Sequence, residues 1–335
     1  MTEPYYSDDT VTLLHGNALA LAGTLAPLSV QTIVTSPPYF GLRDYGNPEQ
    51  FGAEESVEEF IEHLVDLFAA LRPALADDGT LWLNLGDSYA SEPGWGRGGG
   101  STLEGTQHSA PGRSGKSAKQ FDSKTRPRSV LPPKNLIGVP WRVALALQAD
   151  GWILRSDIIW AKPNPMPESV TDRPTKSHEY LFLLAKSSHH YYDADAIKET
   201  STSDHPAGNV NHKYTDQYEA EKGTNQQHRT KAGLKRLAGV EGTTRNKRTV
   251  WAIPTQPFAG AHFAVYPPEL IRPCILAGSR VGATVLDPFS GSGTTGMVAT
   301  QEGRKYIGID LNSDYLDLSL KTRFLQPTLS IGDIA

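Results

Sequence analysis

Short apolar runs bounded by turn residues alternate along this chain with stretches of helical periodicity. Strands joined through helices run parallel and need cover on both faces, so this alternation predicts an α/β fold with a mainly parallel sheet. Seven runs have strand character, at 11–15, 32–35, 80–85, 153–160, 180–185, 284–287 and 306–309. Within 57–75, Val57, Phe60, Ile61, Leu64, Leu67, Phe68 and Leu71 recur at helical spacing, and 140–149 and 267–277 have helical patterns as well. About six helices and seven strands fit one sheet, and no internal repeat is visible.

Two segments break the rhythm. Residues 91–133 are rich in glycine, serine and lysine, and 199–248 are polar with few aliphatics. Neither can bury a core of its own, and such long loops in a compact enzyme are functional or disordered. They read as insertions between parts 1–90, 134–198 and 249–335. A net charge of −5 argues against coating nucleic acid by bulk electrostatics. The charges are unevenly placed, however: seven basic residues between 113 and 134 stand against Asp122 alone, and seven between 229 and 248 against Glu241 alone. A solvated loop explains either one singly; two beside chemical motifs point to phosphate contacts. One cysteine, Cys274, excludes an intramolecular disulfide and a cysteine-built zinc site. There is no apolar run near the ~20 residues of a membrane helix. The first residues lack an export signal, so a cytoplasmic protein without a membrane partner is expected.

Residues 285–296 run from an apolar strand through a glycine loop into a helix. Gly291 and Gly293 let the backbone approach a ligand, Gly296 lets helix and strand pack, and the helix start favours an anion. Asp310 ends the next strand, where an acid can accept both hydroxyls of a ribose, so the ligand should contain adenosine. The three glycines and the acid also satisfy the dinucleotide fingerprint, which keeps a nicotinamide enzyme open. Asp287, with Pro288 and Phe289 directly ahead of the glycines, favours a ligand bearing an ammonium group over a pyrophosphate. Residues 31–40 form a second strand, ended by Pro37 and Pro38. Proline removes N–H donors and stiffens the loop, so carbonyl and hydroxyl acceptors at Pro37 and Ser36, beside the Tyr39 ring, suit a flat heterocycle with an amino group.

Ser36-Pro37-Pro38-Tyr39, taken with the Asp287 to Gly293 loop, resembles the amino-group DNA methyltransferases, in the permuted class whose catalytic motif precedes the cofactor loop. Residues 15–18 resemble a further family motif, with Asn17 where the family usually carries Asp. Residues 262–267 are similar to the segment lining the methionine end of the cofactor, and 160–164 with His178 and Glu179 to the later strands near the target base. The resemblance implies a Rossmann-like S-adenosylmethionine-dependent fold with circularly permuted motif order. It implies a catalytic loop of Ser36, Pro37, Pro38 and Tyr39 and no metal. It implies cofactor contacts at Asn17, Thr35, His262, Asp287, Phe289, Ser290, Gly291, Ser292, Gly293, Thr294 and Asp310.

The implied substrate is double-stranded DNA with the target base rotated out of the helix, and the 199–248 insertion is the candidate for target recognition. A cognate restriction endonuclease acting separately is a possible partner, in a bacterial, archaeal or phage setting. Ser36 resembles the cytosine-N4 branch; adenine N6 is the alternative. Cys274 lies in an apolar helical stretch and reads as a packing residue, which excludes carbon methylation. His178 and Glu179 read as structural or DNA-contacting rather than as an acid–base pair. An oxidoreductase and a catalytically silent DNA-binding module remain the rivals.

Overall fold

A computed structural model of the protein describes residues 3–90, 119–120, 131–200, 244–256 and 265–325. Most of both predicted insertions, and His262, lie outside the described residues. Contacts divide the chain into two units, one of Met1–Asp193 with Thr249–Ala335, the other of Ala194–Arg248. In the second, Glu199–Thr200 pairs antiparallel with Thr244–Arg245, and Arg245 and Arg248 both bind the Glu199 carboxylate.

The first unit is built on a nine-stranded sheet. Its strands are β1 (Tyr6–Ser7), β2 (Val11–His15), β3 (Val30–Thr35), β4 (Leu75–Leu85), β5 (Ile153–Ala161), β6 (His178–Ala185), β7 (Val250–Ala252), β8 (Thr284–Asp287) and β9 (Lys305–Asp310), ordered β1-β2-β9-β8-β3-β4-β6-β5-β7. All seven expected strands are present; β1 and β7 are added at the edges, too short to show a period in sequence. From β2 through β9, β8 and β3 to β4 the strands are parallel, and β6 enters antiparallel between β4 and β5.

Six α-helices are described: α1 (Ala18–Ala22), α2 (Val57–Leu71), α3 (Val139–Ala149), α4 (Pro268–Gly278), α5 (Thr294–Gln301) and α6 (Ser313–Ser319). The hydroxyl of Ser56 caps α2 by accepting from Glu59 N at 3.2 Å, and Val57, Phe60, Leu64, Leu67, Phe68 and Leu71 form its buried stripe. The helix stops at Leu71 rather than running on to 75, because Pro73 cannot continue it. β4 in turn begins at Leu75, five residues before the expected Thr80, with an irregularity between its pairings to Val30 and Thr32.

The chain leaves β3 through α2 toward β4, and leaves β8 through α5 toward β9 on the other side. β3 and β8 are neighbours, so the crevice at their carboxyl ends is the topological switch point where open α/β sheets bind ligands.

Cys274 is fully buried in α4, its Sγ 3.5 Å from the Leu270 carbonyl. It should resist a disulfide thiol reagent in the native protein and react once per chain after unfolding; fast native labelling would contradict the packing role.

Candidate active site

Val285 pairs with Thr32 and Leu286 with Ile33, so Thr35 and Asp287 leave the sheet side by side. The Thr35 hydroxyl donates to Asp287 Oδ1 at 2.6 Å, joining two motifs 252 positions apart. Phe289 N donates to the same oxygen at 3.0 Å, while Thr295 Oγ1 at 2.5 Å and the Tyr266 hydroxyl at 3.1 Å donate to Oδ2. Thr35 and Phe289 N occupy Oδ1, while Thr295 and Tyr266, which also hydrogen-bond each other, share Oδ2. Burial pushes the Asp287 pKa up and these donors only partly offset it, leaving it above the ordinary carboxylate value. Sequence reasoning aimed Asp287 at a ligand's ammonium; in the structure its oxygens bind donors from the chain itself and so tie the loop to its neighbours.

The glycine loop is arranged around that carboxylate. Gly291 is left-handed at φ +50°, and a Cβ built on it would meet only the Phe289 carbonyl, at 3.9 Å, with open space beyond. At Gly293, φ +74°, a Cβ would fall 2.8 Å from Ser319 Cβ, and at Gly296 it would strike the Tyr306 ring at 2.5 Å. Ser290 accepts from the Tyr306 hydroxyl at 2.9 Å, and Ser292 and Thr294 share a contact at 3.4 Å. These side chains face inward, leaving the backbone to meet a ligand. Phe289 is half-buried, its ring edge-on to Phe51 at 5.1 Å.

Asp310 accepts from Gly291 N at 2.7 Å and Asn312 N at 2.9 Å, one bond per oxygen, which leaves acceptor capacity for two hydroxyls. Burial raises its pKa to about 6, against the pull of those two N–H groups. Tyr45 and Tyr315 meet edge to face 6.3 Å apart, and Asp310 acts electrostatically on both. An open cradle above Gly291, a carboxylate with spare acceptors and an aromatic ring at Phe289 fit an adenosyl group. Of Asn17, an expected cofactor contact, Oδ1 caps α1 through Leu19 N and Ala20 N, and Nδ2 donates to the Glu49 carbonyl at 3.3 Å.

On the other side of the crevice, Pro37 is buried and Ser36, Pro38 and Tyr39 are half-buried. The Tyr39 ring lies so close to Gly86 that a Cβ there would sit 2.4 Å from Cε2. Its hydroxyl donates to Glu179 Oε2 at 2.7 Å, stands 3.3 Å from Asn84 Oδ1, and is approached by Ser36 Oγ at 3.5 Å. Glu179 in turn binds Lys162 Nζ at 2.5 Å. His178 instead packs edge-on against Tyr180. Asp87 caps α3, accepting from Gly138 N and Val139 N at 3.0 Å. Asn84 was not singled out by sequence reasoning, and Tyr266 only as part of the 262–267 segment. Glu179 did leave a signal, a charge within an otherwise apolar strand.

A Rossmann-like sheet with open backbone at Gly291 and an aromatic loop at Tyr39 on either side of its switch point has the architecture of a group-transfer enzyme. A DNA methylase family of N6/N4 methyltransferases matches residues 30–321. Type II methyltransferase M.Cfr9I of Citrobacter freundii is 46% identical over 316 residues, covering 92% of this chain and 86% of its own. M.SmaI of Serratia marcescens is 47% identical over 294 residues, covering 88% and 84%. Among solved structures, the cytosine-N4-specific PvuII DNA methyltransferase superposes with TM-score 0.61 at 18% identity, covering 98% of this chain and 91% of that one. TTHA0409 of Thermus thermophilus complexed with S-adenosyl-L-methionine gives 0.53 at 20%, covering 92% and 91%. The chain belongs to the N6/N4 DNA methylase family and is an amino-group DNA methyltransferase. The nicotinamide reading of the glycine loop is thereby set aside.

Gly296→Ala forces the Tyr306 ring to move and should destabilise the protein by about 1–3 kcal/mol in a denaturant titration. Asp310 has a folded-state pKa raised from 3.8 to about 6, so its contribution to stability is present below the lower value and lost as pH rises through the upper one. Asp310→Asn should therefore leave the ligand-free protein at least as stable above about pH 6. A ligand whose hydroxyls donate to Asp310 draws the pKa down, so wild-type cofactor affinity should fall as pH drops through about 6, and the Asn variant should lose that dependence.

Proposed function

We propose that this methyltransferase uses S-adenosylmethionine to methylate the N4 amino group of a cytosine flipped out of a specific double-stranded DNA site. The observation that supports the reading is the pairing of β3 with β8 and the Thr35–Asp287 hydrogen bond at their ends, from which the Ser36–Tyr39 and Phe289–Gly293 segments begin. The choice of cytosine is supported by a neutral hydroxyl at position 36 and by the match to a cytosine-N4-specific enzyme's fold. Type II relatives support a modification role, and a separate cognate endonuclease belongs to that proposal.

Each residue has a definite task. Asp310 would accept the ribose hydroxyls, the backbone at Gly291 would lie under the cofactor, and Phe289 would offer it an apolar edge. S-adenosylmethionine supplies a methyl group already activated on a sulfonium. An aromatic amine is a poor nucleophile because its lone pair is delocalised, so the protein's contribution is to localise and aim it. Ser36 Oγ and the Pro37 carbonyl would accept the amino N–H bonds, raising electron density on nitrogen, while the Tyr39 ring confines the base. Positioning of this kind can supply most of the acceleration.

Incubation with methyl-labelled S-adenosylmethionine and unmethylated bacterial DNA, followed by nucleoside mass spectrometry, tests the reading. N4-methylcytosine is the expected product, and Tyr39→Ala should lose about 1–3 kcal/mol of base stacking. N6-methyladenine would overturn the choice of base. Cofactor binding with no methylated base of any kind would instead support a silent DNA-binding module.

A further inference from the structure

Behind Tyr39 lies an ion pair that methyl transfer does not by itself require. Lys162, just past β5, and Glu179, in β6, are each only 6% exposed at the side chain and meet at 2.5 Å. Lys162 Nζ also stands 4.3 Å over the Trp160 ring. Withdrawing two charges from water is expensive, and a well-packed apolar pair of similar volume is often as stable or more so. A pair kept at this place therefore invites a role beyond packing.

Glu179 Oε1 takes the ammonium and Oε2 takes the Tyr39 hydroxyl. A phenol has one proton, and a carboxylate at 2.7 Å outcompetes the neutral Asn84 Oδ1 at 3.3 Å for it. The Asn84 amide is oriented by its own bond from Nδ2 to the Tyr180 carbonyl, 3.0 Å, so it presents oxygen rather than nitrogen to the phenol. With its proton committed to Glu179, the phenol oxygen can only accept from Ser36, whose Oγ lies 3.5 Å away, longer than an ordinary O–H···O bond, so this link is the weakest of the chain. A serine that spends its proton on Tyr39 turns bare lone pairs toward the crevice, which an acceptor of amino N–H bonds needs. Burial pushes the Glu179 carboxyl up, but Lys162, the Tyr39 hydroxyl and the more distant Lys176 outweigh it, and its pKa stays below the ordinary value.

The geometry points to Lys162 and Glu179 as positioning residues that set the proton direction of the Tyr39–Ser36 chain and hold the Tyr39 ring in place for the target base. The inference rests on the methyl-transfer reading. Neither residue touches the reacting atoms: Lys162 acts on Glu179, Glu179 on the phenol, and the phenol on Ser36.

The test replaces the pair by apolar residues together, as Lys162→Met with Glu179→Leu, so that no lone buried charge remains to unfold the protein. Thermal midpoint and cofactor affinity should stay near wild type. The kcat for cytosine methylation should fall about 10-fold, since Asn84 remains as a weaker acceptor for the phenol. Tyr39→Phe alone should cost a similar factor and add no more than about 2-fold in the double variant, because both changes break one chain. A double variant within about 2-fold of the wild-type kcat, or losses that multiply independently, would overturn the inference. Absence of methylcytosine from the wild-type reaction would count against the proposed function instead, so the two failures are distinguishable.

Discussion

The hydrogen bond from Thr35 to Asp287 is the point on which the site turns. Parallel pairing of β3 with β8 brings the two residues to one level of the sheet, and burial ensures that neither can leave a polar atom unsatisfied. Thr295 and Tyr266 complete the set from α5 and from the segment before α4, so four parts of the chain converge on one carboxylate. The strand that runs into Ser36–Tyr39 and the strand that runs into the glycine loop thus end in one buried polar cluster. A shift of either strand would misplace both.

Two such clusters flank the crevice. One is centred on Asp287 and shapes the glycine loop; the other is centred on Glu179 and orients Tyr39. In each, a carboxylate buried beyond the reach of bulk water is made tolerable by donors that also define a direction: hydroxyls and a backbone N–H at Asp287, an ammonium and a phenol at Glu179. Low local dielectric makes these bonds strong and makes their loss costly, which gives the surrounding loops little freedom to rearrange. Asp310, by contrast, keeps unused acceptor capacity at the crevice, in keeping with a group that waits for a ligand.

Features governed by local chemistry were legible in the chain. Prolines at 37 and 38 had to end a strand, and Gly291 and Gly293 adopt the left-handed backbone for which glycine is suited. The apolar stripe of α2 is read directly from its spacing, although its end at Leu71 depended on giving Pro73 more weight than the pattern beyond it. The edge strands β1 and β7 were illegible because two or three residues carry no period. The capping of α1 by Asn17 was not legible either, because it depends on where the helix starts.

The sequence by itself determined the α/β class, the order of the motifs, the turn geometry of both loops and the chemistry each could support. These follow from backbone sterics, side-chain periodicity and donor–acceptor inventory, all properties of neighbouring residues. Only the tertiary structure decided that Asp287 faces inward, that Ser290, Ser292 and Thr294 serve the loop's interior, and that Lys162 and Glu179 stand behind Tyr39. The direction of a polar side chain is set by which donors and acceptors are buried beside it. In a parallel sheet those partners come from strands far apart in the chain, where no local pattern records them.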